Sequence, residues 1–216
     1  MVNLSRRERE KQNRDEKRRN DIIEVAKTMF LNNSYNDVSM EKIADEIGLS
    51  KASVYNYIKN KQSLYFKVVI KGMEMLRDYF KENMEKEETG LGKVLSVIEA
   101  FFNYMNNFSD YHRLNQSVRS DERFITMLSN GEIEDTDIYT SLAQELLELI
   151  MNAVQQGIQD KSLREDLNPM MTSLFLGEVI EKTLELPPYY GIPRGDYIEH
   201  CKKVLLFGIA GEKANL

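Results

Sequence analysis

Residues 48–61 read GLSKASVYNYIKNK, a run of lysines, serines, tyrosines and asparagines strung on a thin apolar thread. The apolar positions Leu49, Val54 and Ile58 stand five and four apart, which turns them onto one inner face of a short helix and sends the polar side chains outward. That outer face offers donors, acceptors and flat rings, the groups needed to read base edges in a nucleic-acid groove.

The flanking sequence supports the same reading. Ser39 stands where a helix N-cap belongs, Met40, Ile43, Ala44 and Ile47 share one face behind it, and Gly48 ends the segment in a turn that other residues would strain. Ser50 caps the helix that follows. An amphipathic first helix, with Ile22, Ala26, Met29 and Phe30 in a stripe, ends near residues 32–34. Two short helices about a glycine turn, braced by a longer one, make the helix-turn-helix plan, in which the later helix enters the major groove. Asn60 caps a fourth helix carrying Leu64, Val68, Met73, Leu76 and Phe80, which reaches the charged residues 82–88 and a break at Gly90 and Gly92. Helical periodicity then predicts segments at 91–108, 111–119, 121–129, 136–160, 168–186 and 195–210, with Pro187, Pro188, Gly191 and Pro193 between the last two. No run of alternating β-branched residues occurs, so the chain reads as all-α: an N-terminal three-helix helix-turn-helix domain over 1–67 and a helical domain over 68–216.

A composition of 42% hydrophobic and 30% charged residues in a chain of 216 suits a globular protein, and no apolar run reaches the roughly 20 residues of a membrane helix. The N-terminus is too charged for a secretory signal peptide, so the expected location is the cytoplasm. Cys201 is the single cysteine and His112 and His200 the two histidines, which excludes an internal disulfide and leaves no zinc-type cluster. Charge is uneven. Residues 1–67 carry 14 Lys and Arg against 10 Asp and Glu, and the remainder 15 against 25, within a net charge of −6. Such a division suits a protein that approaches phosphates with one end only. In the leader SRREREKQNRDEKRR, residues 5–19, Glu10 with Arg14 and Asp15 with Arg19 have the i, i+4 spacing that supports a helix. Its basic residues read in two ways. They form an arm on phosphates or the minor groove, with Lys17, Arg18 and Arg19 nearest the folded head, or a solvated extension, as the interleaved Glu8, Glu10, Asp15 and Glu16 suggest.

The stretches IIEVAKTMF at 22–30 and SYNDVSMEKIADEIGLSKASVYNYIKNKQSL at 34–64 resemble the tetracycline-repressor-like (TetR) regulators. The pattern agrees at Ala26, Phe30, Tyr35, Ser39, Ile43, Ala44, Gly48, Ser50, Ser53, Tyr55, Lys61 and Leu64. It departs at Ser34 and Ala52, where the family often has glycine, and at Ile58, where phenylalanine is usual. The resemblance implies that Lys51, Ala52, Ser53, Asn56 and Tyr57 face the groove while Ser39, Tyr55 and Lys61 clamp phosphates. Side-chain chemistry agrees: Asn56 suits adenine, Lys51 suits guanine acceptors, and Ala52 can touch a thymine methyl. Lys61 sits near a helix N-terminus, where free N–H groups attract phosphate. For Tyr55 a second reading stands equal, with the ring in the core.

Further along, QQGIQDKSLREDLNP at 155–169 resembles the family's link between its seventh and eighth helices. The resemblance implies a homodimer through the last two helices, packed as a four-helix bundle, and a double-stranded DNA operator of pseudo-palindromic form. Leu176, Val179, Ile180, Val204, Leu205 and Ile209 supply apolar faces for that bundle, and suit an intramolecular core equally well. It also implies a small, largely apolar or amphipathic effector that releases the operator, making the protein a ligand-responsive repressor. Candidate ligand residues are Phe101, Phe102, Met105 and Phe108 on one helix, with Phe124, Met127, Tyr139, Leu146, Phe175 and Glu178. Glu178 meets a polar or cationic group if it points inward and is otherwise solvated. No cofactor, metal or membrane partner is expected. The chain has no GxSxG, HExxH, P-loop or CxxC pattern, which argues against an enzyme. Two rivals stay open: a dimeric helical interaction protein, and an activator without small-molecule induction.

Overall fold

In the computed structural model, which describes residues 5–184 and 188–211, Ser5 opens the first helix with a reciprocal pair of hydrogen bonds. The Glu8 N–H donates to its hydroxyl at 3.4 Å, and its own N–H donates to the Glu8 carboxylate at 2.7 Å. Helix α1 then runs unbroken over Arg6–Asn32 and buries Ile22, Ile23, Ala26 and Phe30. The described chain continues through α2 (Met40–Ile47), α3 (Lys51–Tyr55), α4 (Lys61–Met84), α5 (Gly90–Ser120), α6 (Glu122–Ser129), α7 (Thr136–Asp160), α8 (Pro169–Leu184) and α9 (Arg194–Ile209). Single 3₁₀ turns occupy Tyr35–Asp37 and Pro188–Tyr190. No strand occurs among the described residues, only an isolated bridge between Leu163 and Ala210, so the fold is all-α as the periodicity predicts. Among them, too, no helix is long and apolar enough to cross a membrane.

Two local expectations need correction. The segments predicted at 91–108 and 111–119 follow one another without the expected gap as α5, but the break itself is present as a kink at Phe108, whose φ −138° and ψ 31° are non-helical. In the leader, Glu10 pairs with Arg6 at 2.9 Å rather than with Arg14, and Asp15 and Arg19 do not pair. Of the residues read as suiting a dimer or an intramolecular core equally, Leu176, Ile180, Leu205 and Ile209 are buried within the chain and Val179 packs against the same cluster, whereas Val204 is exposed. Pro187 lies outside the described residues.

The chain divides into two compact units, one made of residues 1–73 and 109–140, the other of 74–108 and 141–216. In the first, α1 packs on α2 and α2 on α3. Phe30, Tyr35, Tyr65, Phe66, Phe124 and Tyr139 form a continuous aromatic group, with ring centroids 4.9–6.0 Å apart. The Tyr65 hydroxyl donates to the Leu114 carbonyl at 3.2 Å, and Lys67 meets Asp135 at 2.5 Å in a pair largely withdrawn from water. In the second unit Phe80, Val94, Ile98, Phe101, Val154, Leu163, Leu176 and Leu205 belong to one buried apolar cluster.

The second unit's tightest point is Gly90. Its N–H donates to the Asp160 carboxylate at 2.8 Å, beside the Leu91 N–H donating to Ser162 Oγ at 3.0 Å. Burial alone would raise the Asp160 carboxyl pKa, but the donors from Ser162 and Gly90 outweigh it and hold the group below the usual aspartate value. A methyl group at position 90 would run into the Gly157 backbone and stand 2.5 Å from the Ala153 carbonyl oxygen. Backbone cannot rotate away as a side chain can. Gly90→Ala should therefore cost about 3 kcal/mol, read as a fall of about 6–12 °C in the circular-dichroism melt for a chain of this size; an unchanged melt would show that α5 and α7 are not this close.

Candidate nucleic-acid interface

Gly48 makes the turn between α2 and α3 possible. It adopts φ 68° and ψ 34°, the left-handed region, so that its N–H reaches the Asp45 carbonyl at 3.1 Å and the Leu49 N–H reaches Ala44 at 2.9 Å. Ser39 caps α2 by accepting the Lys42 N–H at 3.2 Å, and Ser50 caps α3 by accepting the Ser53 N–H at 3.1 Å. Val54 and Ile58 are completely buried, which fixes the rotation of α3 about its own axis.

That rotation leaves Lys51, Ala52, Tyr55 and Asn56 exposed, with Ser53 and Tyr57 half-buried. Asn56 directly follows α3, and its side chain makes no internal hydrogen bond among the described residues, leaving both amide groups for an external partner. Tyr55 is 44% exposed, which decides against the core reading of its ring. Ser53 shares a hydroxyl contact with Ser50 at 2.8 Å. Lys51 pairs with Glu41 of α2, whose hydrogen bond and charge raise the ammonium pKa. A base contact by Lys51 therefore requires it to leave Glu41 first. Ser39 accepts one bond in capping and keeps its hydroxyl proton to donate.

Lys61 departs from expectation. Its ammonium turns inward, donating to the carbonyls of Tyr35 at 2.9 Å and Val38 at 3.0 Å, and stands 4.1 Å from the centre of the Tyr35 ring. Burial, with the nearby positive charge of Arg123 as a second cause, lowers its pKa from the ordinary lysine value. It pins the segment before α2 to the start of α4 instead of reaching for a phosphate. Two residues before it, the exposed ammonium of Lys59, which sequence reasoning passed over, has no ion pair or hydrogen bond among the described residues. Its signal was present: position 59 directly follows the inward Ile58.

The ten candidate ligand residues do not form one group. Phe101 and Phe102 lie in the buried cluster of the second unit, Met105 and Leu146 pack against it, and Phe108 meets Tyr79 and Tyr104 at 6.0 and 5.7 Å. Phe124 and Tyr139 instead belong to the first unit's aromatic group, each 5.7 Å from Phe66, and Met127 is half-buried on α6. Phe175 is 57% exposed on α8, and Glu178 is exposed beside it, so neither lines the interior of a single chain.

Residues 22–68 match the profile of the bacterial regulatory proteins of the tetR family. The chain is 28% identical over 101 residues to the HTH-type transcriptional activator FasR of Mycolicibacterium smegmatis, an alignment covering 47% of this chain and 46% of that protein. It is 21% identical over 159 residues to the HTH-type transcriptional repressor KstR2 of the same organism, covering 74% of each. Its fold is similar to that of AibR, solved in complex with isovaleryl coenzyme A and operator DNA, with a TM-score of 0.59, 15% identity, and 87% of this chain and 97% of that one covered.

The inward lysine makes a direct prediction. Lys61→Ala strands two carbonyls and should lower stability by about 1–3 kcal/mol, whereas Lys59→Ala should leave the urea unfolding midpoint within error; equal effects would contradict the assignment.

Proposed function

Through residues 22–68 the chain belongs to the tetR family of bacterial regulatory proteins, and from that premise we propose that it is a cytoplasmic, ligand-responsive transcriptional repressor that binds a pseudo-palindromic operator as a homodimer. Residues 1–67 would serve DNA and residues 68–216 would serve ligand binding and dimerisation. The observation that carries this reading is the outer face of α3, where Ala52, Tyr55 and Asn56 stand free on a helix whose rotation is set by buried Val54 and Ile58. Ser39, Lys51, Ser53 and Tyr57 complete the proposed DNA-binding set, with Lys51 released from Glu41 on binding. No catalytic role is proposed.

For the dimer, the support is an apolar surface left open by a chain that has already filled its core. Met171 of α8 is 72% exposed, Phe207 of α9 is 83% exposed, and Leu174, Phe175 and Val204 are also exposed on these helices. Patches of this kind mark interaction surfaces. For the effector, Phe101, Phe102, Met105, Phe108 and Leu146 are the proposed lining, all within the second unit. AibR's complex with an acyl thioester makes small acyl-coenzyme A compounds the first class to test. FasR is an activator, so the sign of regulation must be read at the promoter.

Two-fold symmetry sets the operator geometry. Selection of genomic fragments with the purified protein, followed by footprinting, should yield half-sites about 34–36 Å apart or a multiple of it. Asn56→Ala should relax preference at one position of each half-site by about 1–3 kcal/mol, and short acyl-coenzyme A compounds should weaken operator binding by the wild type; an unaltered motif with Asn56→Ala would remove α3 as the reading helix. Separately, Phe175→Glu combined with Phe207→Glu should turn a dimer into a helical monomer in light scattering, since a central apolar contact is worth about 2 kcal/mol or more. Retention of the dimer would assign the interface elsewhere.

A further inference from the structure

Helix α1 begins far ahead of the core it serves, because its first buried residue is Ile22. The preceding turns bury almost nothing, yet the Ser5–Glu8 capping pair closes their end as carefully as that of a core helix. Around this extension the cations are not equivalent. Arg6 is tied to Glu10, and Glu8 is committed to the cap. Arg7, Lys11, Arg14 and Arg18 are all exposed, and among the described residues none of them has an ion pair or hydrogen bond from its side chain. Their spacing of four, three and four places them within about 60° of one another around a helix of 3.6 residues per turn. They form one basic ridge. Its inner end is located by a cleft lined by Arg14, Asp15, Lys17, Arg18, Asp21 and Tyr57, and Tyr57 stands two residues beyond α3.

We propose that this ridge is a second DNA-binding surface, which lies along the phosphates of one strand flanking the bases that α3 reads. The proposal rests on the reading of α3 as the recognition helix. Size selects the phosphate backbone over the minor groove: a helix with its side chains is about 10–12 Å across and the minor groove is about 6 Å wide. From Arg7 to Arg18 the helix rises about 16 Å. Because the per-strand spacing of about 3.4 Å is measured along the duplex axis and the strand winds around it, neighbouring phosphates stand farther apart than that, and the row spans a few of them. A rigid row of such cations adds affinity without sequence preference. Lys17, at the cleft, and Arg19 stand about 90° and 110° around the helix from the middle of the ridge, so both are off it and contribute less.

The test uses the full chain and the operator it selects. A variant with Arg7→Gln, Lys11→Gln, Arg14→Gln and Arg18→Gln should keep its helical circular dichroism and its selected motif. The slope of log affinity against log salt should become shallower by about 0.9 for each phosphate that is no longer neutralised, up to about 3.6 per protomer. Hydroxyl-radical protection should disappear from the backbone flanking each half-site. A companion variant with Arg7→Lys, Arg14→Lys and Arg18→Lys should keep both slope and protection, because a phosphate needs only the charge, and Arg6→Gln with Arg19→Gln should leave both near wild type. If the four-glutamine variant binds with wild-type slope and footprint, the ridge does not touch DNA although α3 still reads it. A changed motif would mean base contacts and overturn the phosphate assignment. A wild-type protein that selects no operator would overturn the ridge together with the recognition-helix reading.

Discussion

A helix of five residues has no stability of its own in water, where isolated helices shorter than about 12–15 residues are marginal. Everything that α3 presents to a partner therefore depends on what holds it from behind. Val54 and Ile58, both completely buried, set its rotation, and the left-handed turn at Gly48 with the Ser50 cap sets where it starts. The Lys61 ammonium secures the far side, joining the start of α4 to the carbonyls of Tyr35 and Val38. Loss of any of these leaves Asn56 and Ala52 chemically intact and badly aimed.

The Tyr35 ring that receives Lys61 is itself packed against Phe30, Tyr65 and Phe124. Its hydroxyl is buried with no hydrogen-bond partner among the described residues, and burial pushes its pKa up to about 12, so the phenol stays neutral across the physiological range. An orphaned hydroxyl costs free energy. The ring's contribution to this aromatic group and its seat for the lysine offset that cost. Because Phe124 and Tyr139 join the same group, residues 109–140 belong to the first compact unit although they follow it in sequence by some distance.

What could be read from the sequence was whatever local chemistry determines. Ser39, Gly48 and Ser50 announce their caps and turn by residue type, and apolar periodicity located every long helix, because burying one face is the reason each forms. The inward turn of Lys61 was not legible, since its acceptors lie 26 and 23 residues upstream and are backbone atoms with no sequence signature. The choice of Arg6 over Arg14 by Glu10 was equally hidden: a guanidinium stands one turn away on either side. On α8 and α9 apolar residues occur all round, so periodicity could not tell Leu176 and Leu205, which face inward, from Phe175 and Phe207, which face out.

The same distinction between a residue's type and its commitments governs the electrostatics. The small excess of positive charge over residues 1–67 is a poor guide to where a polyanion is attracted, because several cations of the first unit are already neutralised locally. Lys51 is held by Glu41, Lys67 by Asp135, and Lys27 and Lys71 share Glu24. A pair of opposite charges a few ångströms apart has little field beyond the screening length of about 8 Å at physiological salt. A phosphate approaching the head therefore responds mainly to charges without an internal partner. Those include Lys59 and the row Arg7, Lys11, Arg14 and Arg18 on α1, so under the reading proposed for α3 the field felt by a duplex would arise from a few uncommitted cations rather than from the net charge of the segment.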